Sequence, residues 1–255
     1  METVRISNIS ELKNIFDSLM KEGAIFRGIS DRSQMLPKLI RSSVDCSSKE
    51  IKILRKFEQY YGVYSTANNC WEFLALAQHC GLMTRLIDFS YNPYVALLFA
   101  LYNHNENGEY EVWVIKNKDV TTIFDSITGP FSIDEKTGTL SLNESAFNSG
   151  QSYSTILHNE FESLKKKKGI IVIRPNYRNS RMLMQQGLFV VPNRISKEAI
   201  MNKFENKAAV ITIDKDIRNL LLEYIDTLGF NELRLMPDID SLCYEINHSM
   251  TENKK

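Results

Sequence analysis

Apolar and polar residues alternate along this chain in blocks that predict interleaved helices and strands. The first helical block follows Ser10, which can cap it, and ends at Gly23. Short apolar runs predict six strands, at residues 24–29, 84–89, 109–116, 169–174, 187–191 and 208–213. Helical spacing predicts helices over residues 49–63, 68–80, 180–186, 196–204 and 215–228, the last capped by Asp214, and the apolar stretch 93–101 predicts a buried helix.

The order of these elements favours one fold class. Strands and helices interleave without a strict βαβ rhythm, so we predict an α+β fold with a mixed sheet of about five to six strands flanked by helices. Apolar residues alternate with other residues at 109–116, as they do in a strand. The length of 255 residues suits a single domain over 1–255. Between residues 117 and 168 the pattern weakens, which predicts a loop-rich insertion, and the polar tail at 251–255 is expected to fray.

Charge and cysteine content exclude several classes of protein. The chain has 31 Lys and Arg against 31 Asp and Glu, so its net charge exerts no global attraction toward nucleic acid or anionic lipid. No apolar run approaches the length of a membrane span, and the first residues lack a secretory pattern, so we predict a cytoplasmic protein with no membrane partner. The four cysteines form no C-x2-C pair, which predicts buried reduced thiols and no metal site.

One charged residue interrupts the apolar run at 24–29. Arg27 lies between apolar neighbours, and a buried guanidinium is costly unless an anion pairs with it. Its planar fork suits a phosphate or a carboxylate, and Gly28 beside it allows a ligand or another backbone to approach. The alternative is a structural ion pair, for instance with Asp88. Both interpretations remain open from the residues alone.

Two further stretches concentrate polar side chains between apolar elements. In residues 78–90, His79 can act as a general base or orient a ligand, or it can be a satisfied core histidine. In residues 181–189, Arg181 and the amides of Gln185 and Gln186 can bind a planar amide or ribose hydroxyls, or form a capping network. Dinucleotide-binding, P-loop and nucleophile-elbow motifs are absent, and no carboxylate constellation favours a metal-dependent nuclease.

These stretches resemble, in order, the signatures of the FRG domain family. The family's Phe-Arg-Gly corresponds to Phe26–Gly28, and further elements correspond to residues 36–41, 77–88 with the helix ending at Phe99-Ala100, 181–189 and 237–240. The resemblance covers about residues 20–245. Small departures occur at Met83, Phe89, Ser90 and Met236, where the family usually has proline, tryptophan, threonine and an aromatic residue.

The family's arrangement is similar, at the level of pattern, to that of ADP-ribosyltransferases. This resemblance implies an ADP-ribosyltransferase-like architecture, NAD as substrate and no metal. It implies a catalytic set and a cofactor-binding set. The catalytic set is His79, Asp88 and Gln185, with Gln185 standing where a glutamate is usual. The cofactor-binding set is Arg27, Gly28, Thr84, Arg85, Ser90 and Arg181.

Two functions of different class follow from these resemblances. The first is an NAD-dependent enzyme that cleaves NAD or transfers ADP-ribose to a nucleic-acid or protein acceptor, in anti-phage defence or as a toxin. Arg27 and Arg85 would bind the pyrophosphate, and Asp88 would stabilise positive charge on the ribose or activate the acceptor. The alternative is a non-catalytic binding module of a defence system that senses a nucleotide, such as NAD, or another ligand, such as one derived from a phage.

Overall fold

The centre of the fold is a mixed sheet of eight strands. The computed structural model describes residues 2–42, 47–61, 67–102, 110–125, 131–134, 139–142, 151–176 and 180–235. Its strands are β1 (Glu2–Ile6), β2 (Ile25–Ile29), β3 (Ile87–Ser90), β4 (Tyr110–Ile115), β5 (Val120–Asp125), β6 (Phe131–Asp134), β7 (Thr139–Leu142), β8 (Ile170–Arg174), β9 (Gly187–Val190) and β10 (Ala208–Ile213). The main sheet has the order β1-β10-β4-β2-β3-β9-β8-β5, and β6 and β7 form a separate hairpin.

Both edges of the main sheet are parallel pairs, β1 with β10 and β5 with β8. The inner neighbours are antiparallel throughout. The ladder between β2 and β3 is limited to one pair, Phe26 with Ser90, whereas β2 pairs with β4 over five positions. The sheet is therefore weakly joined at the β2–β3 boundary.

Ten α-helices surround the sheet within the described ranges. They are α1 (Ile9–Lys21), α2 (Lys38–Ser42), α3 (Ser47–Tyr61), α4 (Cys70–His79), α5 (Pro93–Tyr102), α6 (Tyr153–Leu164), α7 (Ser180–Met184), α8 (Lys197–Lys207), α9 (Arg218–Thr227) and α10 (Glu232–Leu235). Short 3₁₀ turns occupy Arg32–Met35, Asn117–Asp119 and Lys215–Ile217. No helix in the described part of the chain is both long and apolar enough to cross a bilayer.

The apolar side chains form three clusters around the sheet. Helices α1, α5 and α9 pack on one face of β1, β10, β4 and β2. Helix α8 covers the other face. Helices α3, α4 and α6 pack against β5, β8 and β9. One face of the sheet is thus covered by two helical groups, and the β2–β3 boundary lies between them.

The predicted mixed sheet flanked by helices is confirmed, but the predicted number of strands was wrong. All six predicted strands occur, and four strands were missed: β1 and β5, which are the edges of the main sheet, and the hairpin strands β6 and β7. The polar and largely exposed β1 has no apolar run that would have revealed it. Strand β4 is buried along its whole length, because apolar clusters pack on both of its faces.

Several local predictions also need correction. Asn8, not Ser10, caps α1. Strand β3 starts at Ile87, so residues 84–86 lie outside it. The region expected to be loop-rich, 117–168, contributes β5 and the core helix α6. Asp214 caps the 3₁₀ turn that precedes α9.

The cysteine prediction is correct at one site and wrong at another. Cys70 is buried, and burial raises the pKa of its thiol, whereas Cys80 is exposed. Cys46, Cys243 and the tail at 251–255 lie outside the described residues, as does the 237–240 element of the family resemblance.

Candidate functional site

A cleft of about 510 Å³ lies at the weakly joined β2–β3 boundary. Strands β2, β3 and β9 contribute to its wall, together with α2, α5, α7 and the end of α4. Of the nine site residues predicted from sequence, seven line this cleft and two do not. The seven are Arg27, Gly28, His79, Asp88, Ser90, Arg181 and Gln185.

Arg27 bridges the boundary where the two strands lose their pairing. Its Nη1 donates to the carbonyl oxygen of Asp88, and its Nη2 donates to the carbonyl oxygen of Gln34 at 2.7 Å. The Asp88 carboxylate is 3.9 Å from Nη1, a weak ion pair whose acid is largely exposed. Burial lowers the pKa of Arg27, and the charge of Arg41 lowers it further against the opposing effect of Asp88. Arg27 is thus anchored to backbone oxygens at the cleft wall.

Gly28 makes room for a helix. A Cβ built at Gly28 would lie 1.6 Å from the carbonyl oxygen of Ala96 and 2.7 Å from the amide nitrogen of Ala100, both in α5. The sequence allowed either a ligand or another backbone to approach Gly28, and the structure shows the backbone of α5 there. The apolar helix α5 can therefore lie directly against β2 and form the floor of the cleft.

A chain of hydrogen bonds orients the carboxylate of Asp88. The amide nitrogen of Gln78 donates to both carboxylate oxygens at 3.2 Å and to the carbonyl of Leu86 at 3.3 Å. The hydroxyl of Thr84 donates to the amide oxygen of Gln78 and accepts from the backbone nitrogen of Leu86. Because Thr84 occupies the oxygen of Gln78, the NH₂ group must face Asp88. Asp88 is the only carboxylate among the described lining residues.

Ser90 and Gln185 tie β3 to the segment before β9. The hydroxyl of Ser90 donates to the carbonyl of Gln185 at 2.7 Å and accepts from the amide of Asn92. The side-chain amide of Gln185 donates to the carbonyl of Leu235 at 3.0 Å. Both side chains therefore form internal hydrogen bonds while they also line the cleft.

The cleft carries an excess of positive charge. Arg27, Lys38, Arg41 and Arg181 line it, against Asp88 alone. Burial lowers the pKa of His79, and the charge of Arg181 lowers it further, which favours the neutral imidazole. The described residues include no group of three or more His, Cys, Asp or Glu able to hold a metal ion. This arrangement favours an anionic ligand.

Comparison with known proteins identifies the segment that builds most of this wall. Residues 22–109 match the model of the FRG domain family. The chain contains an FRG domain. No curated protein and no solved structure matched the chain.

The FRG match contains β2, β3 and α5 but not the whole cleft. Helix α7 and strand β9, with Arg181 and Gln185, lie beyond residue 109. The cleft is therefore completed by chain outside the FRG match. The anchoring of Ser90 to Gln185 shows how the two parts are joined.

Thr84 and Arg85, two predicted cofactor-binding residues of the FRG domain, are absent from the cleft wall. Thr84 is buried behind Gln78. Arg85 forms a buried ion pair with Glu50 of α3, with its Nη2 2.6 Å from Oε2, and its Cζ lies 3.4 Å from the ring centroid of Phe161. Its charge is compensated inside the protein, so the prediction that it binds pyrophosphate is wrong for this conformation.

Four lining residues of the FRG domain were not predicted as site residues: Gln34, Lys38, Arg41 and Gln78. Lys38 and Arg41 belong to the Leu-Pro-Lys-Leu-Ile-Arg element, which carried the family resemblance but no assigned role. Gln78 begins the polar stretch at 78–90. A signal for these residues was therefore present in the motifs, but nothing in the sequence indicated that they face the same space as Arg27.

Proposed function

We propose that the cleft binds NAD through its pyrophosphate and that the protein cleaves the bond between nicotinamide and ribose. The observation that carries this proposal is the presence of four cationic side chains and a single oriented carboxylate in one cleft. A pyrophosphate matches guanidinium groups in charge and geometry. An exposed carboxylate in the same space can stabilise an oxocarbenium-like ribose as the bond breaks.

The reaction balances without a redox partner. The bond from ribose C1′ to the nicotinamide nitrogen breaks, and nicotinamide leaves with the electron pair. A nucleophile of a protein, a nucleic acid or water forms the new bond to C1′, and its proton passes to Asp88 or to solvent. Thr84 and Gln78 act behind Asp88 as positioning residues, because their hydrogen bonds set which face of the carboxylate is free.

The test is release of nicotinamide from NAD by the purified protein, followed by chromatography, with a parallel search for labelled acceptor. We expect Asp88→Asn to reduce release by about tenfold or more, as removal of an electrostatic catalytic group does. Asp216→Asn is the matched control, since Asp216 is exposed on the turn before α9 and outside the cleft wall. Equal release by wild type and Asp88→Asn, or no release at all, would refute the catalytic proposal.

A non-catalytic, nucleotide-sensing module is the second candidate. It is favoured by the engagement of Ser90 and Gln185 in internal hydrogen bonds and by the presence of a single carboxylate among the described lining residues. A sensing module would bind NAD without turnover. Ligand at a hundredfold excess over its Kd stabilises a protein by about 2.7 kcal/mol. A raised melting temperature with no nicotinamide release would therefore support this candidate over the enzyme.

As part of the same proposal, we place the protein in the cytoplasm, in anti-phage defence or as a toxin, because the FRG resemblance implies such a role. The proposal is tested by inducing wild type, Asp88→Asn and Asp216→Asn in cells and measuring growth and total NAD. Growth arrest that requires Asp88 supports it. Unaffected growth with and without phage challenge would count against it.

A further inference from the structure

Three exposed cations lie at the cleft mouth, and only Arg41 has a carboxylate, that of Asp31, near enough to interact with its charge. Lys38 and Arg41 lie on α2, and Arg181 lies on α7. Within the described residues, none of the three forms an ion pair with a carboxylate. Other surface cations of this chain do pair, for instance Lys207 with Asp119 at 2.7 Å. Unlike that pair, Lys38, Arg41 and Arg181 line one cleft with no carboxylate of the described residues within ion-pair distance.

These cations also lie beside other cationic or basic groups. Arg41 is near enough to Arg27 to lower its pKa, and Arg181 does the same to His79. Like charges close together repel each other unless an anion lies between them. Arg27 is on β2, and α7 leads directly into β9, with β3 between these two strands. The cleft thus has a cationic group on each side of β3.

The charge of this cleft exceeds what NAD alone would balance. Four cationic lining residues and one carboxylate leave three positive charges when His79 is neutral. NAD carries about two negative charges on its pyrophosphate and one positive charge on its nicotinamide ring. A phosphate monoester adds about 1.5 to 2 negative charges at pH 7. A ligand with a pyrophosphate and a separate monoester therefore matches the cleft more closely than NAD.

Building on the proposed function, we infer that the preferred ligand is a dinucleotide that carries a phosphate monoester in addition to its pyrophosphate, the class to which NADP belongs. Arg27 lies at the inner wall and binds the pyrophosphate. The unpaired cations Lys38, Arg41 and Arg181 bind the monoester at the mouth. Coenzyme A has a pyrophosphate and a phosphate monoester, as NADP does, but it lacks nicotinamide. Comparing its affinity with that of NADP therefore tests whether the cleft prefers a dinucleotide over other phosphorylated adenine nucleotides.

The experiment compares the Kd values of NAD, NADP and coenzyme A by calorimetry at about 50 and 300 mM salt. We expect NADP to bind about tenfold more tightly than NAD at low salt, because an added dianion meets several cations. The ratio should shrink at high salt, where exposed charges are screened. Coenzyme A should bind more weakly than NADP.

Variants locate the monoester. The triple variant Lys38→Gln, Arg41→Gln and Arg181→Gln should lose most of the NADP-over-NAD ratio, while Lys197→Gln, an exposed cation outside the cleft wall, should keep it. Because the replaced side chains are exposed, we expect the triple variant to fold normally. An unchanged melting curve in the absence of ligand checks this. A ratio near one in wild type, or a ratio that survives in the triple variant, would overturn the inference.

The outcomes separate this inference from the proposed reaction. Preferential NADP binding without nicotinamide release overturns the reaction and supports the inference. Nicotinamide release with equal affinities for NAD and NADP supports the reaction and overturns the inference. Coenzyme A binding as tightly as NADP overturns the assignment to a dinucleotide, and failure of both dinucleotides to bind overturns both proposals.

Discussion

The buried ion pair between Glu50 and Arg85 provides the sharpest quantitative test of the structure. The side chain of Glu50 is fully buried, and that of Arg85 is 6% exposed. Oε2 of Glu50 accepts from Nε and Nη2 of Arg85 at 2.9 and 2.6 Å, and Oε1 accepts from the backbone nitrogen of Arg85 at 3.0 Å. The pair joins α3 to the segment that leads into β3, and the guanidinium also lies against Phe161 of α6. Glu50→Gln removes the charge with little change in volume.

The expected loss is large because an uncompensated guanidinium would remain buried. Removing one partner of a buried pair costs about 3–5 kcal/mol. For a chain of this size, each kcal/mol lowers the melting temperature by about 2–4 °C, which predicts a fall of about 6–20 °C. Urea unfolding at pH 7, followed by circular dichroism, measures the free energy of unfolding, and calorimetry measures the melting temperature.

Two controls define what would refute this reasoning. Glu162→Gln breaks an exposed pair with Lys165 and should leave the free energy of unfolding nearly unchanged, because water screens the two charges. The double variant Glu50→Leu with Arg85→Met should recover much of the loss, because apolar side chains can replace a buried pair. A loss below about 1 kcal/mol in Glu50→Gln would show that Arg85 does not depend on Glu50 and would reopen its assignment to the cleft.

Two further predictions concern the cleft wall. Gly28→Ala should cost about 3 kcal/mol or more in urea unfolding, because the new methyl group would overlap the backbone of α5; unchanged stability would contradict that packing. His79 should titrate below its ordinary pKa of about 6.5 by NMR, and Arg181→Gln should move it upward. The imidazole of His79 binds a proton less tightly in the folded chain than in the unfolded chain. Protonation of His79 should therefore destabilise the protein as pH falls from about 6.5 through the lowered pKa. An unchanged His79 pKa in Arg181→Gln would contradict the closeness of Arg181 to His79.

The interior of the sheet could be predicted from the sequence, and its edges could not. Apolar runs revealed the six inner strands because strands buried on both sides need apolar residues throughout. Strands β1 and β5 lie at the two edges, where β1 exposes most of its residues. Their partners, β10 and β8, come from elsewhere in the chain. Pairing at an edge depends on backbone hydrogen bonds, which any residue type can form, so the side-chain pattern predicts edge strands less well.

In the candidate site, the sequence indicated the residue types but not where the fold places them. The sequence marked Arg27 and Arg85 alike, as arginines within or beside apolar runs. Only the fold brings Glu50 to Arg85 and leaves Arg27 beside the cleft. Lys38 and Arg41 are exposed cations on a short helix, and such residues usually point to a solvated surface. Only the tertiary position of α2 brings these two residues into the same cleft wall as Arg27.

The sequence by itself determined which kinds of side chain were available: an Arg-Gly pair on a buried strand, a polar stretch between apolar helices and an apolar helix to support them. Those features follow from local periodicity and from the cost of burying charge, which act residue by residue. The tertiary structure alone decided which charges are compensated. Ionic and hydrogen-bond energies depend on distance, and the partners of Arg27, Arg85 and Asp88 come from other elements that only folding brings close.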